Sequence, residues 1–297
     1  MKNKIRIKIT LIITVLALGF MVPGYFYLSR SPVLIITDLA FISLYGEARI
    51  KQESLVSSFI LFRRVRIVLV ADDASDEIVR IAITDVSSNP FCVIFPLRFI
   101  RGARIYREQN PEIPVVILEG RHGNISTNFV IGSNLSDYYI YKTDINIEFQ
   151  KAGMAAAAVN MGKNGKIAVF MDPQIQLQAT DAFLQGMNFF ENPPQALFFN
   201  NFIQFSEIPD LSCVVLAGSG VEFLENNEEI PIIFFSWIDP ALLPAKTVLL
   251  INDSSVAQTI EAVRMVIAGQ KEGLLQSKFV SLNKGYIDKK ILRKIHK

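Results

Sequence analysis

Residues 149–172 read Phe-Gln-Lys-Ala-Gly-Met-Ala-Ala-Ala-Ala-Val-Asn-Met-Gly-Lys-Asn-Gly-Lys-Ile-Ala-Val-Phe-Met-Asp. The small-residue run from Phe149 to Met161 predicts a closely packed helix, and Gly162 and Gly165 bracket a turn. Lys166 to Met171 is then short, apolar and unbroken, the pattern of a strand buried on both faces. A further helix is predicted over Gln174 to Phe190. A two-sided strand flanked by helices is the repeating unit of a parallel α/β sheet.

The same alternation extends in both directions. Upstream, strands are predicted at 33–37, 66–70, 91–95 and 114–118, with a further candidate at 128–131. Between them lie helices over 46–59, where Ala48, Leu55, Val56 and Phe59 are spaced as a core-facing stripe, from Ser75 onward, and over 98–108. Ser75 is a predicted cap, and the acidic first turn of Asp76 and Glu77 suits the helix dipole. Downstream, strands are predicted at 213–216, 231–235 and 247–251, with a helix over 254–268. Two such series, separated by a polar stretch from Ser133 to Asp144, imply two lobes, each a parallel sheet with helices on both faces. The expected division is 31–140 with 247–297 as lobe 1 and 141–246 as lobe 2. The basic tail from Lys284 to Lys297 reads as a surface segment.

Composition narrows the function. The 297 residues are 51% apolar and 20% charged, enough for substantial cores and too apolar for general disorder. A formal net charge of +2 argues against a nucleic-acid binder. With two Cys and two His, a four-cysteine zinc site is excluded, and no other metal or cofactor site is predicted. Cys92 and Cys213 sit in apolar strands and read as buried thiols. No nucleophile elbow, P-loop, His-Glu-x-x-His or Gly-x-Gly-x-x-Gly motif occurs, so the chain is not expected to be an enzyme.

Residues 1–30 read as a signal peptide or an uncleaved membrane anchor. Lys2, Lys4, Arg6 and Lys8 precede an uncharged run from Ile9 to Ser29. As a helix those 21 residues would span about 31 Å, close to the hydrocarbon thickness of a bilayer. The flanking cations place the amino terminus in the cytoplasm, so the body from about Ser31 is expected to be exported. Tyr25, Phe26 and Tyr27 crowd the position where a small-residue cleavage site would fall, which favours the anchor.

In open parallel sheets, ligands bind beyond the carboxyl ends of the strands. The candidate ligand-binding residues there are Asp38, Phe41, Tyr45 and Arg98 in the first series, and Asp172, Gly218, Ser219, Gly220, Trp237 and Asp239 in the second. Each also has a plainer role: Asp38 as a helix cap, Gly218 and Gly220 as turn formers, the lone Trp237 as core, Arg98 as a solvated cation.

The helix and strand at 149–172 resemble the basic membrane protein family of periplasmic substrate-binding proteins. That family shows Leu-Ala-Gly, an Ala-rich helix, a Thr-Gly-Lys-Val turn and a strand ending near Gly-Met-Asp. Phe183 and Gly186 match its following Gly-Phe-x-x-Gly helix, Ala217-Gly-Ser-Gly220 its Ala-Gly-Gly-Thr-Gly turn, and Thr37-Asp38 the start of its first loop. The likeness spans roughly Val33 to Leu282 and implies a two-lobed type I periplasmic-binding-protein fold. It also implies a nucleoside-like ligand and an ABC permease as partner. The ligand positions depart from the family: Leu39-Ala-Phe-Ile-Ser-Leu-Tyr45 replaces an acidic, amide-bearing loop, and Ala179 falls where a second aromatic is expected.

Two functions follow. One is a solute-binding protein of an ABC importer, closing about hinges near Ser133–Asp144, Asn200 and Lys246. The alternative is a membrane-anchored sensing or structural paralogue that has lost nucleoside binding.

Overall fold

The structure is a computed structural model that describes residues 24–39, 41–42, 46–71, 74–120, 137–162, 165–171, 173, 175–200, 208, 210–218, 230–235, 246–252, 254–283 and 285–296. The first lobe opens with β1 (Val33–Asp38), α1 (Glu47–Leu61), β2 (Val65–Val70), α2 (Asp76–Val86) and β3 (Cys92–Pro96). A 3-10 turn at Leu97–Phe99 leads into α3 (Ile100–Gln109), then β4 (Val115–Gly120) and β5 (Tyr139–Thr143). The chain crosses to the second lobe through α4 (Ile145–Val159), β6 (Lys166–Met171), α5 (Gln176–Met187), β7 (Ala196–Phe199), β8 (Leu211–Ala217), β9 (Ile232–Phe235) and β10 (Thr247–Asn252). It returns with α6 (Ser255–Ile267) and β11 (Glu272–Leu275), then ends in the second lobe with β12 (Lys278–Ser281) and α7 (Lys289–Ile295).

Each lobe holds one sheet. The first runs β11-β5-β4-β3-β1-β2, with every described pairing parallel. The second runs β12-β10-β9-β8-β6-β7, with only β12 antiparallel among the described strands. Alternate residues feed opposite apolar layers, as the period of a strand requires. On β1, Val33 and Ile35 join Ile50 of α1 and Val263 of α6, while Leu34 and Ile36 join Val79 of α2 and Tyr106 of α3. On β6, Ile167 and Val169 pack with α4 and α5, and Ala168 and Phe170 line the other face. The ring of Phe149 on α4 stacks on that of Phe235 on β9 at 4.8 Å.

Local capping explains several boundaries. Ser75 Oγ accepts from Ile78 N, Asp144 Oδ1 from Ile147 N, and Ser254 Oγ from Ala257 N, each satisfying a donor in a helix first turn. Both cysteines are buried thiols outside any disulfide, as expected, and burial pushes the Cys92 thiol up to about 12.

Three differences from the sequence reading concern connectivity. Residues 247–252 and 278–295 belong to the second lobe, because β10 and β12 hydrogen-bond within the second sheet. Of the region beyond 247, α6 and β11 pack with the first lobe. The crossovers therefore lie at 143–145, 252–255 and 275–278. The first falls in the expected stretch, but Asn200 and Lys246 lie inside the second lobe, beside β7 and β10. The tail is also more than surface: Ile287 and Ile295 are buried against the α4 layer, with Ile291 and Leu292 beside them.

The crossovers are lined by buried polar groups. Asp144 N donates to Leu275 O at 3.0 Å, joining the first and third crossings. Gln258 Nε2 donates to Thr143 Oγ1 at 3.1 Å, and Asn252 Nδ2 to Glu53 Oε1 on α1 at 3.1 Å. Ser277 Oγ donates to Glu148 Oε1 on α4.

That demand inverts α1. Its buried residues are Ile50, Glu53, Ser57 and Ser58, whereas Ala48, Leu55, Val56 and Phe59, expected to face the core, are exposed. Ser58 Oγ accepts from Val65 N at 2.8 Å at the start of β2. The helix stops at Phe62, whose φ of 49° is a left-handed conformation costing a side chain other than Gly roughly 1–2 kcal/mol.

Two glycines set the α4–α5 contact. A Cβ at Gly153 would overlap the Phe183 carbonyl, and one at Gly186 the Gln150 carbonyl. Gly153→Ala or Gly186→Ala is expected to lower stability by about 1–3 kcal/mol through overpacking. A lowered urea or thermal midpoint checks this, and an unchanged one contradicts the packing. A thiol reagent is expected to react with Cys92 and Cys213 only after unfolding, measured as thiol release against denaturant.

Candidate functional site

The carboxyl ends of the first sheet gather two buried carboxylates, each facing a half-exposed cation. β1 ends at Asp38, which is fully buried. Its Oδ1 accepts from Phe41 N at 2.7 Å, so it caps the short helical turn that follows. Its Oδ2 meets the Arg98 guanidinium in an ion pair. Arg98 arrives on the 3-10 turn after β3, the neighbour of β1, and its guanidinium lies 5.0 Å from the Phe99 ring. Burial lowers the Arg98 pKa, yet a guanidinium remains protonated at any physiological pH.

The second pair stands two strands away, about 10 Å along the sheet at the usual strand spacing. Glu119, near the end of β4, is buried and lies 3.2 Å from Lys142 Nζ on β5. Lys142 stands beside Gly120 in the β4–β5 register. Burial raises the Glu119 pKa above the ordinary carboxylate value, Lys142 pulls it back, and Glu272 on β11 pushes it up again. Both pairs present a cation that keeps part of its donor capacity toward solvent, above an acid that holds it in place.

Of the residues expected to bind a ligand, Asp38 and Arg98 are brought together. Phe41 is half-buried and packs against the apolar layer shared by α1 and α6. Gly218 forms a bend directly after β8, so it stands at the corresponding edge of the other sheet. Tyr45, Asp172, Ser219, Gly220, Trp237 and Asp239 lie outside the described residues. Lys142 was not anticipated, because its strand lies in the stretch read as polar linker. The alternation Tyr139-Ile140-Tyr141-Lys142-Thr143, rich in aromatic and β-branched residues, was the available signal. Among the described residues, no group of three or more His, Cys, Asp or Glu side chains could hold a metal ion. No helix among them is long and apolar enough to cross a membrane, and the run from Ile9 is described only from residue 24.

Two six-stranded sheets joined by three crossovers define the type I periplasmic-binding-protein fold. Solved structures with this architecture superpose on the chain. An ABC transporter solute-binding protein from Conexibacter woesei DSM 14684 matches with a TM-score of 0.61 at 11% identity, over 90% of this chain and 94% of that one. A transcriptional activator of the comK gene from Bacillus halodurans matches with a TM-score of 0.56 at 13% identity, over 90% and 95%. At such identities the likeness establishes the fold. No protein-family model and no curated protein sequence matches the chain.

Removing the ammonium tests the second pair. A raised carboxyl pKa means that the folded state binds more protons than the unfolded chain, so stability falls as pH rises through the window above the ordinary Glu value. Lys142→Met raises that pKa further and leaves the carboxylate unpaired. The variant is expected to lose on the order of 1 kcal/mol at pH 8 and less at pH 5, where Glu119 can protonate. Urea unfolding at the two pH values measures it, and an equal loss at both would contradict the pairing.

Proposed function

We propose that the chain is a solute-binding protein that holds a small polar molecule between the strand-end edges of its two lobes. The observation that carries the reading is the doubled arrangement of Arg98 over Asp38 and Lys142 beside Glu119 on one sheet edge. A cation fixed by a buried acid is a preorganised donor, and a ligand hydroxyl, carboxylate or ring carbonyl bound there avoids the cost of ordering a free side chain. Gly218, across the seam, lets a backbone amide approach a guest closely. Phe41, Tyr45 and Trp237 remain the candidates for enclosing its apolar face. The crossovers at 143–145, 252–255 and 275–278 are the hinges about which the lobes would close.

The finer reading is a relative of the basic membrane protein family that delivers a nucleoside-like solute to an ABC permease. It rests on the motifs at 149–172 and 217–220. The chain would stand on the periplasmic side of the inner membrane, attached through residues 9–29 or released by cleavage, and would catalyse no reaction. Asp38 favours a second reading. Both of its oxygens are already engaged, by Phe41 N–H and by Arg98, so the acid that would meet a ligand is occupied from within. That suits a paralogue which keeps the fold for sensing or scaffolding.

A thermal-shift panel of nucleosides, sugars and amino acids separates the two. Solute binding predicts that one class raises the melting temperature by about 5 °C or more at a hundredfold excess over Kd. Arg98→Ala is expected to abolish that shift. No response across the panel would favour the sensing reading.

A further inference from the structure

Among the described residues, nothing covers the outer side of the second half of α1. Phe59 is 85% exposed and Leu55 69%, and Val56 and Ile60 complete a stripe at helical spacing. The inward side of this helix holds Glu53, Ser57 and Ser58 beside Ile50, while its outward side turns from Glu47, Lys51 and Gln52 in the first half to these apolar residues in the second. Residues 24–29, which are helical, extend the same character: Tyr25 is 70% exposed, and Phe26 and Leu28 are also exposed. The two parts are joined at the end of α1. The Tyr27 and Phe62 rings meet edge to face at 5.8 Å, and Arg30 lies 5.1 Å over the Phe62 ring.

Cations surround this junction. Arg30 Nη1 donates to Phe62 O at 3.5 Å, Arg64 Nη2 to Arg30 O at 3.4 Å, and Arg63 Nη1 to Ser31 O at 3.2 Å. Arg66, two residues further along, points to the other face of the sheet, where its Nη1 donates to Val86 O at 3.1 Å. Aromatic rings beside arginines, at the end of an uncharged run from Ile9 to Ser29, are the composition of a membrane–water interface.

We propose that the outer face of α1, together with residues 24–29, rests on a bilayer bearing anionic headgroups. Leu55, Val56, Phe59 and Ile60 enter the acyl boundary, and Arg30 and Arg64 meet the phosphates. The amino ends of β1 and β2 then face the membrane, and the strand-end site with Asp38 and Arg98 faces away from it. A second copy is the poorer occupant, because a two-fold contact would set these arginines against their own equivalents. The proposal rests on the membrane attachment read for residues 9–29.

The full chain is reconstituted into vesicles of phosphatidylcholine and phosphatidylglycerol. Phe59→Cys carries a bimane label, and Leu177→Cys, on exposed α5 of the second lobe, serves as control. The native cysteines are buried and do not compete. Flotation with the vesicles tests attachment separately. Doxyl-labelled lipids are expected to quench the label at 59 several-fold more than at 177. Replacing phosphatidylglycerol by phosphatidylcholine, or the double change Arg30→Glu and Arg64→Glu, is expected to weaken that quenching. Failure to float overturns the attachment reading. Flotation with equal quenching at both positions overturns the proposed face alone. A label at 59 already shielded in detergent shows that the occupant is residues 9–23 if shielding is independent of protein concentration, and a second copy if it is not; either result overturns the bilayer. Quenching unchanged in phosphatidylcholine alone overturns the role of anionic headgroups.

Discussion

A chain that passes three times between two separately packed sheets must satisfy polar groups at a seam that neither sheet can serve. The hydrogen bond from Asp144 N to Leu275 O does this with backbone alone, by running the first and third crossings side by side. The remaining demand falls on side chains. Gln258 reaches Thr143, Asn252 reaches Glu53, and Ser277 reaches Glu148. A buried polar atom without a partner costs more than a made hydrogen bond returns, so these residues act as a set. The orientation of α1 follows from it. Glu53 must face inward to meet Asn252, and Ser58 must face inward to meet Val65, so the helix turns its apolar stripe outward.

The same economy of burial governs the strand ends. Asp38 and Glu119 sit where parallel strands finish and apolar layers press from both sides. Each is tolerable only because a cation from the next strand or turn covers it. Arg98 and Lys142 are thereby held at one edge by the packing of the sheet and not by a flexible loop. The acid that caps the turn at Phe41 also fixes the guanidinium, so loop geometry and site electrostatics share one side chain.

The alternation of strands and helices was legible because parallel strands buried on both faces are unbroken apolar runs. The strand at Lys166–Met171 is placed to the residue, and β1, β8 and β10 to within two. What was hidden has physical causes. β5, β11 and β12 are short crossover or edge strands with polar and exposed positions, so Tyr139–Thr143, Glu272–Leu275 and Lys278–Ser281 lack the two-sided signature. β10 is as apolar as the strands of either lobe, and nothing in Thr247–Asn252 states which sheet it joins. The helical period of α1 was readable but its sign was not, because Glu53 is turned inward by an asparagine 199 positions later. In the site, Asp38 and Arg98 could be found as strand-end residues, whereas their pairing needed the neighbour relation of β1 and β3.

The placement of β12 and α7 bears on the order of assembly. The first sheet can be completed once β11 has been synthesised, but the second still lacks its antiparallel edge and the apolar contacts of Ile287 and Ile295. A chain cut after β11 would therefore keep every strand of the first sheet and leave β10 as the bare edge of the second. The last twenty residues thus close the second sheet and its apolar layer, and they are as much a part of that lobe as the strands that begin it.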